Sequence, residues 1–415
     1  MIEIPVVPIR RVARLGSGHT PSRQHPEYWE NCTIPWLTLA DVGKLRDGIV
    51  TVVDDTAERI SELGVSHSAA VVHPTGTVAL SRTASVGFTC ILGTDMATSQ
   101  DFATWACGPL LEPRFLLYAL RGNPRQIKQR MIGSTHKTIY MPDIETLTTP
   151  LPAIDDQRAI VDFLDAETAR IDSLVDRERL LAELSEERLA ALTQRVLLPA
   201  ASILSQDSGA ELPSGWQSFR LKMLLREVTD LSTEGSEELL SVSHITGVTP
   251  RSEKRVTMTM AESLEGYKRV AVNDFVVNTL WAWMGAVGVS KHSGIVSPAY
   301  GVYRPFSPQL EPRYLDYFAR TRPFIDLMTL YSKGVWSSRL RLYADELLGL
   351  RVALPPSVEQ LRLVAVFDQQ ARRAESVRNL VGRSIELLTE RKQALITAAV
   401  AGQLDLAREI SEEAS

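Results

Sequence analysis

Hydrophobic positions in two stretches of the chain recur at spacings of three and four residues, the pattern of an amphipathic helix. No proline interrupts the first stretch between Pro152 and Pro199, or the second after Pro356. A helix of about 40 residues is roughly 60 Å long, so the pattern predicts two long helices. Their apolar positions are Ile160, Leu164, Ile171, Leu174, Leu181, Leu184 and Leu192 in the first, and Leu363, Phe367, Ala374, Val377, Leu387 and Leu395 in the second.

A lone amphipathic helix of this length is unstable in water, so each apolar stripe needs a partner. The simplest arrangement packs the two helices against each other as an antiparallel coiled coil. The alternative is that each helix packs only on its own globular domain.

The remaining segments mix strand and helix patterns. Val71–Leu80 and Val270–Val277 are rich in β-branched residues and predict strands. Pro113–Leu120 and Pro312–Ala319 predict short helices that open with proline. The predicted fold class is therefore α/β (α+β), with two mixed α/β domains separated by the two long helices.

Three short motifs occur twice at nearly constant spacing, which indicates an internal repeat. The offsets between copies are 199, 203 and 203 residues, so we predict a pseudo-two-fold chain in which each copy is a globular domain followed by a long helix. The pairs are Glu112–Leu116 with Glu311–Leu315, Leu151–Gln157 with Leu354–Gln360, and Glu187-Arg188 with Glu390-Arg391. The predicted segments are a first domain (1–150), a first spacer helix (151–198), a linker (199–215), a second domain (216–353), a second spacer helix (354–407) and a C-terminal tail (408–415).

The charge of the chain is unevenly distributed. The formal net charge is −5, but residues 151–211 alone carry −7, while residues 1–150 carry 0, 212–350 carry +2 and 351–415 carry 0. The acidity belongs to the first helix. The neutral to slightly basic domains remain compatible with a nucleic-acid partner, because local patches decide such contacts.

Motifs for catalysis, metal binding and cofactor binding are absent from the sequence. It has no Walker A sequence, no GxGxxG after a strand, no Asn-Pro-Pro-aromatic motif and no histidines at metal-ligand spacing. Pro142–Glu145 is a weak match to a nuclease carboxylate cluster and has no counterpart in the second copy. We expect a chain without a catalytic, metal or cofactor site.

The cysteine pattern and the hydropathy suggest where the protein acts. Cys32, Cys90 and Cys107 are widely spaced, which predicts neither a disulfide framework nor a zinc site. No apolar run approaches the ~18 residues of a membrane span, and the N-terminus lacks the features of a signal peptide. A cytoplasmic location is expected.

Several motifs, taken in order and in duplicate, resemble the specificity subunits of type I restriction–modification enzymes. The second long helix begins with Leu-Pro-x-x-x-Glu-Gln, and the first differs only in Asp156. The other matching segments are Gly18–Ser22, Tyr28-Trp29, Ile34–Leu37, Gly76–Gly87 and Thr98–Phe102 in the first copy, and Asn273–Asn278, Gly285–Val289 and Gly294–Tyr300 in the second.

This resemblance implies a non-catalytic DNA-binding subunit. Each target-recognition domain would read one half of a bipartite double-stranded DNA sequence, and the helices would set the gap between the halves. Two methyltransferase subunits and two restriction subunits would be the partners. S-adenosylmethionine, ATP and Mg²⁺ would be bound by those partners and not by this chain. A spacer of tens of ångströms suits sites about one DNA turn, roughly 34 Å, apart.

Polar loops with cations, hydroxyls or exposed rings are the candidate DNA contacts. An ordinary solvated turn explains the first group (from His19) and the third group (from Ser134) about equally well. The two tryptophans of the second group, Trp281 and Trp283, are also compatible with a core position. Near that second group the copies differ by an apparent four-residue insertion, as expected of readers of different sequences. The candidates are His19, Thr20, Ser22 and Arg23; Arg82 and Thr83 with Trp281 and Trp283; and Ser134, His136 and Lys137 with Lys333, Ser337 and Arg339.

Two other functions remain open from the sequence. One is a nuclease with its own undetected carboxylate metal site. The other is a scaffold that holds two proteins apart without binding DNA.

Overall fold

The structure is a computed structural model that describes residues 4–134, 136–201, 212–253, 263–335 and 339–404. The chain divides into two compact units, unit 1 with residues 1–180 and 381–415, and unit 2 with residues 181–380. The boundary crosses both long helices, so each unit contains one mixed domain and a section of each helix. None of the helices in the described ranges has both the length and the apolar character needed to cross a bilayer.

The described strands are short, and most helices are too. The strands are β1 (Val6–Pro8), β2 (Ala13–Ser17), β3 (Ile34–Leu37), β4 (Val52–Val53), β5 (Glu58–Ile60), β6 (Val72–His73), β7 (Val78–Ser81), β8 (Thr89–Leu92), β9 (Met96–Thr98), β10 (Phe102–Cys107), β11 (Thr148–Pro150), β12 (Gln217–Arg220), β13 (Leu225–Glu227), β14 (Leu240–Ser243), β15 (Gly247–Pro250), β16 (Lys268–Val270), β17 (Phe275–Val277), β18 (Val287–Val289), β19 (Gly294–Val296), β20 (Gly301–Pro305) and β21 (Arg351–Leu354). The α-helices are α1 (Glu62–Ser66), α2 (Pro113–Gly122), α3 (Pro124–Lys128), α4 (Met141–Ile144), α5 (Ile154–Ala201), α6 (Pro312–Ala319), α7 (Arg322–Leu330), α8 (Ala344–Gly349) and α9 (Ser357–Val400).

Unit 1 is built on mixed sheets. Its described strands form a sheet in the order β2-β10-β7-β8-β4, a second sheet in the order β5-β3-β9-β6, and the antiparallel pair β1-β11. The main core lies between the first sheet, α2 and the long helices. It contains Trp105, Phe115 and Leu164 together with Ile396 from α9.

Unit 2 repeats this plan with shorter sheets. Its described strands form the sheet β13-β20-β17-β18 and the pairs β14-β15, β16-β19 and β12-β21. The main core joins Phe275 and Tyr303 of the sheet to Phe318 of α6, Phe367 of α9 and Leu197 of α5. The predicted fold class, two mixed α/β domains with two long antiparallel helices, is confirmed.

The two short proline-led helices are confirmed as α2 and α6, but the two predicted long strands are wrong. Each is divided by a turn into two strands that belong to different sheets, β6 and β7 in the first copy and β16 and β17 in the second. The turns place Gly76 at φ +83° and Asn273 at φ +72°. A positive φ cannot continue a strand, and Asp274 Oδ2 further stabilises the second turn by accepting a 2.8 Å hydrogen bond from the Ala271 amide.

The long helices run antiparallel where they meet inside each unit. In unit 1, Lys392 Nζ donates to both carboxylate oxygens of Asp172 at 2.7 Å, and Ser384 Oγ donates to Glu178 Oε1 at 3.3 Å. As the residue number of the contact rises from 172 to 178 along α5, that of its partner on α9 falls from 392 to 384, so the two helices run in opposite directions. In unit 2, Arg378 Nε donates to Glu186 Oε1 at 2.7 Å.

These polar contacts replace part of the predicted apolar seam. The apolar stripes are only partly buried, since Leu181, Leu184 and Leu387 are 55%, 50% and 65% exposed. Ile160, Leu164 and Ile171 near the start of α5 are buried, as are Leu363 and Phe367 of α9. The fully buried positions of the stripe thus lie in the first half of each helix.

Candidate nucleic-acid interface

Two loops of unit 1 meet at the turn between β9 and β10, which contains Ser99, Gln100 and Asp101, and a third loop is bonded to the second. The first loop, residues 16–23, is held there by the His19 amide, which donates to the Thr98 carbonyl at 3.0 Å. Thr20 Oγ1 donates to Gln100 Oε1 at 2.7 Å.

The approach of the first loop depends on a glycine. A Cβ at Gly18 would lie 1.7 Å from the Thr98 carbonyl oxygen, so a side chain at this position cannot fit without moving the backbone. His19 remains exposed, and Ser22 and Arg23 extend into solvent beyond it.

The second loop follows β7. The Arg82 amide donates to the Asp101 carbonyl at 2.8 Å, and the Thr83 hydroxyl donates to the Asp101 carboxylate. Ser99 Oγ donates to the other carboxylate oxygen at 3.1 Å. Arg82 Nη1 donates weakly to the Ile139 carbonyl at 3.3 Å, while its Nε is buried without a partner. A buried donor without an acceptor is costly, so Arg82 retains hydrogen-bonding capacity that the described residues do not use.

The third loop is a narrow turn closed by reciprocal 2.9 Å hydrogen bonds between Ile132 and Thr138. The Ala84 amide donates to the Lys137 carbonyl at 2.9 Å, which joins this loop to the second. Ser134, His136 and Lys137 are all exposed. Three exposed polar side chains therefore lie on a loop whose backbone is bonded to the loop of Arg82.

Arg23 is less available than the sequence suggested. Its guanidinium lies 4.5 Å from the centre of the Trp29 ring and 3.3 Å from Glu58 Oε2. Trp29 Nε1 in turn donates to the Ser22 carbonyl at 3.3 Å. These contacts shape the end of the first loop.

Unit 2 builds the equivalent second loop on the turn between β19 and β20. Asn278 Nδ2 donates to the Tyr300 hydroxyl at 3.1 Å, and Thr279 Oγ1 donates to the Ala299 carbonyl at 2.7 Å. The Leu342 amide donates to the Thr279 carbonyl at 3.0 Å, as the Ile139 amide does to Arg82 in unit 1 at 2.8 Å. Burial raises the pKa of the Tyr300 hydroxyl, which stays neutral at physiological pH.

The insertion in this loop is one residue and not four. Gly76 and Asn273 occupy the same positive-φ turn, each two residues before a strand. Within the hairpins that follow, Val78 pairs with Ile91 and Phe275 pairs with Val289. The copies therefore differ here in side chains more than in length.

Trp281 and Trp283 lie on the surface of this loop and not in the core. Trp281 is 50% exposed and Trp283 is half-buried. Their rings stack with centroids 6.3 Å apart and an interplanar angle of 16°.

The third loop of unit 2 is closed by reciprocal 2.9 Å hydrogen bonds between Lys333 and Arg341. Lys333 Nζ lies 2.5 Å from Glu346 Oε1, and this hydrogen bond raises the pKa of the ammonium. Arg339 is exposed. Ser337 lies outside the described residues, as do Trp336 and Ser338.

Metal-binding geometry is absent from the described ranges, which hold no group of three or more His, Cys, Asp or Glu side chains able to bind an ion. The carboxylates of Pro142–Glu145 are used locally. The Glu145 carboxylate lies 3.7 Å from the Arg10 guanidinium, and Asp143 lies in the first turn of α4.

The sequence did not reveal that Gln100 and Asp101 join the loops. Thr98–Phe102 was recognised as a motif, but its two polar side chains could be assigned to loops 80 and 18 residues away only from their hydrogen bonds. A short polar turn between two buried strands was the available signal.

A family model described as "Type I restriction modification DNA specificity domain" matches residues 1–181. The chain is also 22% identical over 226 residues to the type I restriction enzyme MjaIX specificity subunit of Methanocaldococcus jannaschii. That match covers 52% of this chain and about half, 50%, of the relative.

Two solved structures share the fold over nearly the whole chain. The HsdS subunit from Thermoanaerobacter tengcongensis matches with a TM-score of 0.52 and 18% identity, covering 97% of this chain and 98% of that chain. A chain from a structure of complex assembly and conformational transition of the type I R-M system matches with a TM-score of 0.65 and 18% identity, covering 97% and 99%. The chain is thus similar in sequence to the type I restriction–modification specificity subunits and shares the fold of the HsdS subunit.

Proposed function

We propose that the chain is the DNA-reading subunit of a type I restriction–modification complex. Each unit reads one half of a bipartite double-stranded target, using the polar loops that surround the turn between β9 and β10 in unit 1 and the turn between β19 and β20 in unit 2. The observation that carries this proposal is the convergence of the first and second loops of unit 1 on Gln100 and Asp101. Polar and cationic side chains on one surface suit base-edge and phosphate contacts.

The long helices set the distance between the half-sites. At 1.5 Å per residue, the 48 residues of α5 and the 44 residues of α9 are roughly 72 and 66 Å long. Two methyltransferase subunits and two restriction subunits assemble on the chain. They carry S-adenosylmethionine, ATP and Mg²⁺, so that this chain recognises DNA without catalysing a reaction, and a cytoplasmic location is part of the same proposal.

The proposal is tested with a library of duplexes that contain two random segments separated by gaps of varied length. The full chain, alone and with methyltransferase subunits, should select duplexes with two fixed segments at one gap. Methylation-site sequencing of host DNA should give the same split sequence. Selection of a single continuous site would contradict the proposal.

A nuclease activity of the chain alone is the rival function. It predicts Mg²⁺-dependent cleavage without partner subunits, which the same purified chain would reveal on supercoiled plasmid. Robust methylation by the isolated chain would equally contradict a purely recognising role.

A further inference from the structure

The stacked indoles of Trp281 and Trp283 occupy a place where unit 1 has Ala84, Ser85 and Val86 and no aromatic ring. They follow Thr279, whose carbonyl accepts the Leu342 amide as the Arg82 carbonyl accepts the Ile139 amide. Unit 1 continues from Arg82 with Thr83, which is bonded to Asp101, whereas unit 2 continues from Thr279 with Leu280 and then the two rings. The apolar surface is therefore specific to one of the two copies.

The rings are held in place by the protein itself. Ala282 between them is fully buried, and Gly285 ends the turn at φ +84° with its Cα close to Ile325, whose Cδ1 would lie 2.6 Å from a Cβ. Thr329 Oγ1 donates to the Trp283 carbonyl at 3.3 Å. A surface fixed before binding loses little conformational entropy when a ligand arrives.

The hydrogen-bonding capacity of Trp283 is already used. Its Nε1 donates to the Leu280 carbonyl at 3.1 Å, and an indole has no other polar group. Trp283 can therefore offer a ligand only apolar contact. On the edges of base pairs in the major groove, the one apolar feature is the C5-methyl group of thymine.

Cations on the loop that is joined to Thr279 favour DNA over an apolar protein partner. Arg339 is exposed on the loop closed by Lys333 and Arg341, and Leu342 joins that loop to Thr279. Guanidinium groups on a loop joined to an apolar surface suit a ligand that carries both phosphates and a methyl group.

We propose that the Trp281–Trp283 pair reads thymine through its methyl group in the half-site of unit 2, while the corresponding turn of unit 1 reads its half-site through hydrogen bonds. This inference rests on the proposed function. It assigns apolar recognition to one half of the target and not to the other.

The test uses the full chain and the duplex selected from the split-site library. Each thymine is replaced in turn by uracil, which removes only the methyl group. At one or two positions of one half-site, uracil should lower the affinity of the unaltered chain about fourfold. This is the change in affinity expected when the burial of one CH₂ group is lost. Uracil in the other half-site should have no such effect.

Variants then assign the effect to the rings. The double substitution Trp281→Ala and Trp283→Ala should bind the thymine and uracil duplexes equally, while Trp281→Phe should keep most of the discrimination. Leu361→Ala, an exposed leucine of α9, is the control and should discriminate as the unaltered chain does. Melting temperatures establish that the variants are folded.

Two results separate the inference from the proposed function. If the chain prefers its selected duplex to a scrambled one but tolerates uracil at every position, methyl reading is overturned and DNA recognition stands. If the chain does not prefer the selected duplex, both are overturned.

Discussion

The buried side chain of Gln157 accepts a 2.9 Å hydrogen bond from the backbone amide of Glu112. Its amide also donates to the carbonyls of Leu110 and Pro152, both at 2.9 Å. The Gln157 side chain thus connects the start of α5 to the loop before α2 by hydrogen bonds. Gln360 repeats all three bonds with Glu311, Gln309 and Pro355, at 2.8 to 2.9 Å.

Replacing Gln157 with leucine should lower the free energy of unfolding by about 1–3 kcal/mol, because buried backbone groups lose their partner. Gln360→Leu should have a similar effect. Gln194→Leu, at an exposed position of α5, is the matched control. Urea unfolding measures all three, and a loss at Gln157 no larger than the control's would show that these bonds are unimportant.

The Asp172–Lys392 pair should stabilise the packing of α5 against α9 in unit 1. Both side chains are largely buried, with 22% and 16% exposure. A double-mutant cycle with Asp172→Asn and Lys392→Met should give a coupling free energy of about 1–2 kcal/mol. The exposed pair Asp176–Arg179 should give less than about 0.5 kcal/mol. Equal coupling in both pairs would rule out a contribution from burial.

Acid should destabilise unit 1 through His73. Burial, and secondarily Arg14, lowers the pKa of this imidazole below 6.5. The folded state therefore binds fewer protons than the unfolded chain, and stability falls as the pH drops below about 6.5. Urea unfolding between pH 5 and 8 should show that the free energy of unfolding depends less steeply on pH for His73→Gln than for the unaltered chain. His19→Gln, at an exposed site, should keep the full slope.

Cations of the third loops should contribute to DNA affinity through phosphates. Lys137→Ala and Arg339→Ala should each weaken binding to the target. Each should also reduce by about 1 the slope of the logarithm of the binding constant against the logarithm of the salt concentration. Lys333→Ala should have a smaller effect because Lys333 is paired with Glu346. Lys222→Ala is the control at an exposed site outside these loops. If both loop variants keep the affinity and slope of the control, these loops do not contact DNA.

The glycine beneath the first loop should be required for its position. Gly18→Ala should lower the free energy of unfolding by about 1–3 kcal/mol, since its Cβ would clash with the Thr98 carbonyl. Gly43→Ala meets nothing within 4 Å and should be close to neutral. Comparable melting temperatures for the two variants would show that the loop adjusts freely.

Features that depend on local pattern were predictable from the sequence. The repeat, the proline-led helices and the long helices follow from residue spacing. The domain boundaries stay predictions, although α5 and α9 lie close to the predicted spacers. The prediction of one continuous strand over Val71–Leu80 was wrong because residues with high strand propensity flank a turn that Gly76 makes possible.

Features that depend on long-range contacts were not predictable. Nothing in the local sequence indicates that Thr20 bonds to Gln100, or that Ala84 bonds to Lys137. The exposed Leu387 shows the same limit, because an apolar stripe identifies a helix face without identifying which turns are covered.

The division of the chain into units has a consequence for synthesis on the ribosome. Unit 2 is continuous, whereas the core of unit 1 combines Phe115 and Leu116 with Ile396 and Val400. Domains usually fold in the order in which they are made. Here the residues of unit 2 are all translated before the segment that completes the earlier core. During synthesis, unit 1 should therefore complete its folding after unit 2. About 200 residues are translated between the first segment of unit 1 and the segment of α9 that completes its core.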